Sequence, residues 1–126
     1  MNENEVSRII VDSAIEVHRT LGGPGLLESV YEEALVWEIK KRGLSVDCQK
    51  VLPVIYKGYT VGTPLRIDLF VNDIVIVECK ATSQYNDIFE AQILTYLRLA
   101  NVKLGLVINF GERLVKDGIH RVVNKL

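Results

Sequence analysis

A chain of 126 residues that is 48% hydrophobic and 25% charged has the make-up of one globular domain and is too short for two typical ones. Its balanced charge excludes a disordered tail, its three Pro and nine Gly exclude low complexity, and no apolar run approaches the roughly 20 residues of a membrane span. A net charge of −1 excludes nucleic-acid binding by bulk charge alone, but not a nuclease, in which acidic residues gather a cation that meets part of the phosphate charge.

The acidic, polar start Met1–Glu5 has neither the basic nor the apolar region of a signal peptide, so the expected location is the cytoplasm. Cys48 and Cys79 are too few for a disulfide framework and lack zinc-site spacing; both are expected reduced and partly buried.

From Glu5 to Leu21 the residues Val6, Ile9, Ile10, Ala14, Val17 and Leu21 recur at helical spacing, and Gly22-Gly23-Pro24-Gly25 stops the helix. A second helix is predicted from Leu26–Glu28 to about Arg42, with Tyr31, Ala34, Leu35, Trp37 and Ile39 supplying apolar surface and Gly43 ending it. The texture then turns β-branched and aromatic: strands at Val46–Val51, Val54–Tyr56 and Tyr59–Val61, with Pro53 as an edge or break. Leu65–Val71 and Ile74–Cys79 read as two central strands joined at Asn72-Asp73. A third helix spans about Asn86 to Ala100, with Phe89, Gln92, Ile93, Tyr96, Leu97 and Ala100 on one apolar face. Leu104–Asn109 suits a buried strand, and Ile119–Val123 a last one. With no repeat and no linker, the expectation is one α/β domain over residues 1–126.

The chemistry gathers in Arg66-Ile67-Asp68-Leu69-Phe70 and Val77-Glu78-Cys79-Lys80, where ionisable residues sit inside apolar strands. A buried charge is costly unless it is paired or holds a cation. Strand alternation puts Glu78 and Lys80 on one face and Cys79 on the other. A two-residue loop at Asn72-Asp73 would place Asp68 on the face opposite Glu78, whereas an odd loop would pair the two; the odd loop is expected. In that register Ile67, Leu69, Val71, Val75, Val77 and Cys79 form one face, and Asp68, Phe70, Ile74, Ile76, Glu78 and Lys80 the other. Two carboxylates and an amine at a strand edge suit a hard divalent cation, with the lysine orienting water or stabilising phosphate charge.

The pattern Asp68, nine residues, Glu78-x-Lys80 resembles the signature of the PD-(D/E)XK nuclease superfamily, and Gln92 with Tyr96 resembles the QxxxY helix motif of its RecB-like branch. Gly25-Leu26-Leu27-Glu28-Ser29-Val30-Tyr31 is similar to the signature of the GxxExxY proteins of that superfamily, and the likeness runs from Glu16-Val17-His18 through Glu90-Ala91-Gln92 and Leu106–Phe110 to Lys116–Ile119. The resemblance implies a restriction-endonuclease-like core, with a mixed central sheet flanked by helices, and a Mg2+ or Mn2+ site for phosphodiester hydrolysis. It also implies Asp68 and Glu78 as metal ligands, the Cys79 carbonyl as a further ligand, Glu28 completing the site through water, and Lys80 positioning water or stabilising charge. Gln92 would support the water or the substrate phosphate, with Tyr96 beside it at the substrate. Ile67 stands where many members have proline.

Plainer readings accompany each residue. Asp68, Glu78 and Lys80 could form a structural ion-pair network, Glu28 a helix-start acid with Glu32 exposed beside it, and Gln92 a partner of the backbone. Tyr96 and Tyr31 could be core, and His18, although upstream histidines ligate metal in some RecB-like nucleases, reads more simply as packing or capping. The expected function is a metal-dependent nuclease acting on nucleic acid, DNA ahead of RNA, working as a homodimer because so small a domain has little surface to grip a duplex. The alternatives are a non-catalytic nucleic-acid or protein-interaction module keeping the fold, with an unidentified protein partner, and a phosphohydrolase of small nucleotides with an enclosed pocket.

Overall fold

A computed structural model describes residues 1–126. Helices α1 (Glu3–Leu21) and α2 (Glu28–Lys41) precede strand β1 (Val46–Leu52) and a small hairpin of β2 (Ile55–Tyr56) and β3 (Tyr59–Thr60). Then follow β4 (Leu65–Val71), β5 (Val75–Lys80), α3 (Ile88–Ala100), β6 (Leu104–Asn109), a 3-10 turn at Val115–Gly118 and β7 (Ile119–Val123). The main sheet has the order β1-β4-β5-β6-β7, parallel between β5 and β6 and antiparallel elsewhere. It is the mixed central sheet expected, flanked by helices. No helix is long and apolar enough to cross a membrane.

The polar N-terminus is a helix start: Asn2 and Glu5 cap each other reciprocally, at 2.9 and 3.0 Å, satisfying two backbone donors that the first turn leaves free. Val6, Ile10, Ala14 and Val17 of α1 and Tyr31, Leu35 and Ile39 of α2 are buried against Leu69, Val71, Val75, Val77 and Cys79. Ile93 and Leu97 of α3 cover the opposite face, over Ile76 and Val107. Gly105 permits that approach, because a Cβ there would lie 2.8 Å from Ile93 Cδ1. Trp37, expected among the apolar contacts of α2, is instead 62% exposed on its outer side.

The turn between β4 and β5 is the odd one: Asn72 and Asp73 are both left-handed, Ile74 completes the loop, and Val71 pairs with Val75, Phe70 with Ile76 and Leu69 with Val77. The β4–β5 ladder ends at Leu69↔Val77, one residue short of Asp68 and Glu78. The simple alternation expected for β4 breaks there. Ile67 joins Ile76 and Ile93 in the core under α3, not Leu69 and Val71 in the core under α1 and α2. Ile74, lying in the turn, packs on the α1–α2 side and not beside Ile76. The cause is local. Gln49, facing Asp68 from β1 between the pairs Cys48↔Leu69 and Lys50↔Ile67, has a left-handed φ of 53°. The Cys79 N–H goes to the Asp68 carboxylate, at 3.0 Å. Both neighbours of Asp68 thus leave regular pairing, and the strand turns over at that residue.

Candidate metal centre

Asp68 is the hub. Its half-buried carboxylate accepts the Cys79 N–H through Oδ2, and Gln49 Nε2 lies 3.5 Å from Oδ1. The start of α2 projects two more carboxylates to the same place. Glu28 and Glu32, one helical turn apart on one face, bring an oxygen each to within 4.8 Å of one another and of Asp68. Gln49 Nε2 donates to Glu32 Oε1 at 2.8 Å, so its amide bridges the helix and strand carboxylates.

The backbone holding Glu28 is set by Tyr31. Its hydroxyl donates to the Gly23 carbonyl at 2.6 Å and accepts the Leu26 N–H at 3.2 Å, tying down the loop that enters α2. Its ring stacks on Phe110 with centroids 4.8 Å apart. His18 completes that stack, buried, with Nε2 donating to the Phe110 carbonyl at 3.1 Å. The histidine therefore serves packing and a backbone bond in the α1–α2 core, the plainer of its two readings.

Glu78 is only 8% exposed, and its Oε1 has no hydrogen-bond partner. Burial first, then hydrogen bonding to and repulsion from Asp68, push its carboxyl up from the ordinary 4.5 to about 9. Glu28 and Glu32 are also pushed up, each by partial burial first; the negative charge of Asp68 adds to both, while the Gln49 hydrogen bond opposes the shift of Glu32. The cation that offsets this crowd of acids is Lys80, whose charge favours the ionised forms of Glu28 and Glu78. Its Nζ lies 4.5 Å from the Phe89 ring centroid, and the Phe110 N–H bonds its carbonyl at 2.8 Å. Just beyond, the buried Asn109 amide bonds the Thr82 N–H, the Thr82 carbonyl and the Gly111 N–H, all at 3.0 Å, locking the exits of β5 and β6 together.

Glu28, Asp68, Glu78 and Lys80 are thus brought to one end of the sheet. Tyr96 borders them: burial, then the charges of Glu78 and Asp68, raise its phenol. The Cys79 side chain is buried on the other face, and its N–H is bound to Asp68. Gln92 departs from the apolar position expected of it: α3 turns Ile93 and Leu97 inward and leaves Gln92 exposed with no hydrogen-bond partner, one turn before Tyr96. The reason is helical phase. The buried stripe passes through residues 93 and 97, and residue 92 lies 100° to its side.

Glu32 and Gln49 were not singled out by sequence reasoning. The signal for Glu32 was its spacing of four from Glu28; for Gln49 there was none, because its placement depends on the left-handed kink.

The donor set fits a hard divalent cation. The clustered set of Glu28, Glu32 and Asp68 is all oxygen, and outside it the adjoining Glu78 holds a buried carboxyl oxygen with no hydrogen-bond partner. No curated protein and no solved structure shows significant similarity to the chain. The family model of the PD-(D/E)XK nuclease superfamily matches residues 4–122, nearly the whole chain, and the protein belongs to that superfamily.

Proposed function

We propose that the protein is a Mg2+- or Mn2+-dependent nuclease that hydrolyses phosphodiester bonds at the Asp68 end of the sheet. The observation that carries this reading is the triangle of Glu28, Glu32 and Asp68 beside the buried, unpartnered Glu78 oxygen, with Lys80 two residues along the same strand. In this reading Asp68 and Glu78 hold the cation directly, Glu28 and Glu32 complete its shell from the helix, and the Cys79 carbonyl is a further oxygen at the same strand level. A bound cation supplies Lewis-acid charge next to the scissile phosphate. Lys80 keeps its ammonium at the mouth of the site, where it orients water or meets charge on the phosphate. Gln92 and Tyr96 meet the substrate from α3. The carboxylates of Glu28, Glu32 and Asp68 are all at least partly open to solvent, which favours a polymer over a small nucleotide enclosed in a pocket. DNA is the favoured polymer, the cytoplasm the place of action, residues 1–126 one domain, and a homodimer the state that would widen the grip on a duplex.

The test is a calorimetric Mn2+ titration of the wild type, Asp68→Ala and Glu78→Gln, with cleavage of single-stranded, duplex and branched DNA and RNA. The wild type should bind Mn2+ and cleave; Asp68→Ala should lose both, and Glu78→Gln should bind at least 10-fold more weakly. Three folded proteins with no heat of Mn2+ binding would overturn the catalytic reading and leave a module that keeps the fold for binding alone.

A further inference from the structure

The β2–β3 hairpin belongs to neither core and pairs only with itself, through Ile55↔Thr60 and Tyr56↔Tyr59. A two-stranded hairpin is marginal alone in water, so one standing off the main sheet calls for a purpose. Lys57 and Gly58 form its turn with φ of 49° and 86°, both left-handed, as the tight two-residue turn needs. Tyr56 and Tyr59 are directly opposed across the hairpin, so both side chains leave from the same face of it. They are 60% and 75% exposed, and Lys57 Nζ lies 5.5 Å from the Tyr56 ring centroid.

Charge and position name the occupant. From Cys48 to Ile67 the charged residues are Lys50, Lys57 and Arg66, with no acid among them, in a chain whose net charge is −1. Lys57 and Arg66 are exposed and have no carboxylate partner. The arm leaves the sheet at the pair Leu52↔Leu65, three residues before Asp68 on β4, or about 10 Å of strand. Two exposed rings on one face of the arm, cations without acids and attachment to the strand that carries Asp68 together suit unstacked bases joined by phosphates. A second copy of the chain suits the arm less well, because a two-fold contact between hairpins would set Lys57 against Lys57.

We infer that the β2–β3 hairpin is a stacking platform for unpaired nucleotides, Tyr56 and Tyr59 taking bases and Lys57 and Arg66 the flanking phosphates, which steers the enzyme to single-stranded or frayed substrate. This rests on the nuclease reading, whose substrate it narrows.

The test is fluorescence anisotropy with a labelled 20-nucleotide strand, as DNA and as RNA, and with the matching duplex, in chelator so that no cleavage intervenes. The wild type should bind the single strands more tightly than the duplex. Tyr56→Ala/Tyr59→Ala should lose about 100-fold on both single strands, and Tyr56→Phe/Tyr59→Phe, which keeps the rings, should bind as the wild type does. Circular dichroism and Mn2+ titration of the alanine variant should match the wild type, since neither tyrosine belongs to a core or to the acidic cluster. Unchanged single-strand binding by the alanine variant, or loss by the phenylalanine variant as well, would overturn the platform. So would sedimentation showing a wild-type dimer that the alanine variant abolishes, which would give the hairpin to a second copy. The anisotropy reads the hairpin whether or not Mn2+ binds, whereas Mn2+ binding reads the nuclease proposal, so the two fail separately.

Discussion

Glu78 is a carboxyl kept in an environment that suits its neutral form until something positive arrives. Its folded value of about 9, against 4.5 ordinarily, means that between these pH values the folded protein holds a proton that the unfolded chain has released. The contribution of Glu78 to stability of the metal-free protein is therefore full below about pH 4.5 and is lost as pH rises toward 9, by at most about 1.4 kcal/mol per pH unit for one proton. Urea denaturation in chelator from pH 5 to 9 should show that slope, and Glu78→Gln should flatten it while making the metal-free protein more stable at pH 8. In the proposed site Mn2+ would displace the same proton, so its affinity should tighten as pH rises over the same range; a pH-independent affinity would separate Glu78 from the metal. Of these residues, Asp68, Glu78 and Lys80 were legible because ionisable groups inside apolar strands demand an explanation. Glu32 was hidden among the other acids of an ordinary-looking helix face, and Gln92 was misplaced because a polar residue beside a buried stripe is within one helical step of belonging to it.

Among the elements, α2 presents Glu28 and Glu32 to the acidic cluster while burying Tyr31, Leu35 and Ile39. The spacing of Glu28 and Tyr31 is mechanical: the carboxylate faces the site, and the hydroxyl one turn on fastens the loop before it. Tyr31→Phe should keep the stack on Phe110 yet cost about 1–2 kcal/mol of stability and weaken Mn2+ binding several-fold, checked by denaturation and calorimetry on one preparation. Unchanged Mn2+ affinity would show that Glu28 is held without the tyrosine. The strands β4 and β5 and their odd turn could be read from Asn72-Asp73 and from the wish to put Asp68 beside Glu78. The reversal of faces at Asp68 could not, since it arises from Gln49 on a neighbouring strand, and strand pairing between distant segments leaves no local trace in sequence.

For the whole molecule, a cation bound at the proposed site would be linked to folding. Helix α2 and strand β4 supply the acidic cluster and edge strand β1 bridges it through Gln49, so a cation there would tie together segments 40 residues apart in the chain, from Glu28 to Asp68. Mn2+ at about 100 times its Kd should add about 2.7 kcal/mol, raising Tm by about 10 °C. Asp68→Ala should lose that gain, as differential scanning calorimetry with and without Mn2+ would show; an equal gain in the variant would put the cation elsewhere. The class of fold was plain from the succession of periodicities, helical, then alternating, then helical again, and the parallel pairing of β5 with β6 follows from the helix between them.

The left-handed turn of backbone at Gln49 has an effect away from the acidic cluster. Strand β1 lies at the border of the sheet and is mostly exposed, the situation in which proteins recruit stray strands and aggregate. A foreign strand laid along β1 would find the row of donors and acceptors knocked out of line halfway, and Pro53 without a donor just past the end. The kink that delivers an amide to Glu32 and Asp68 thus also makes the β1 edge a poor template for a stray strand.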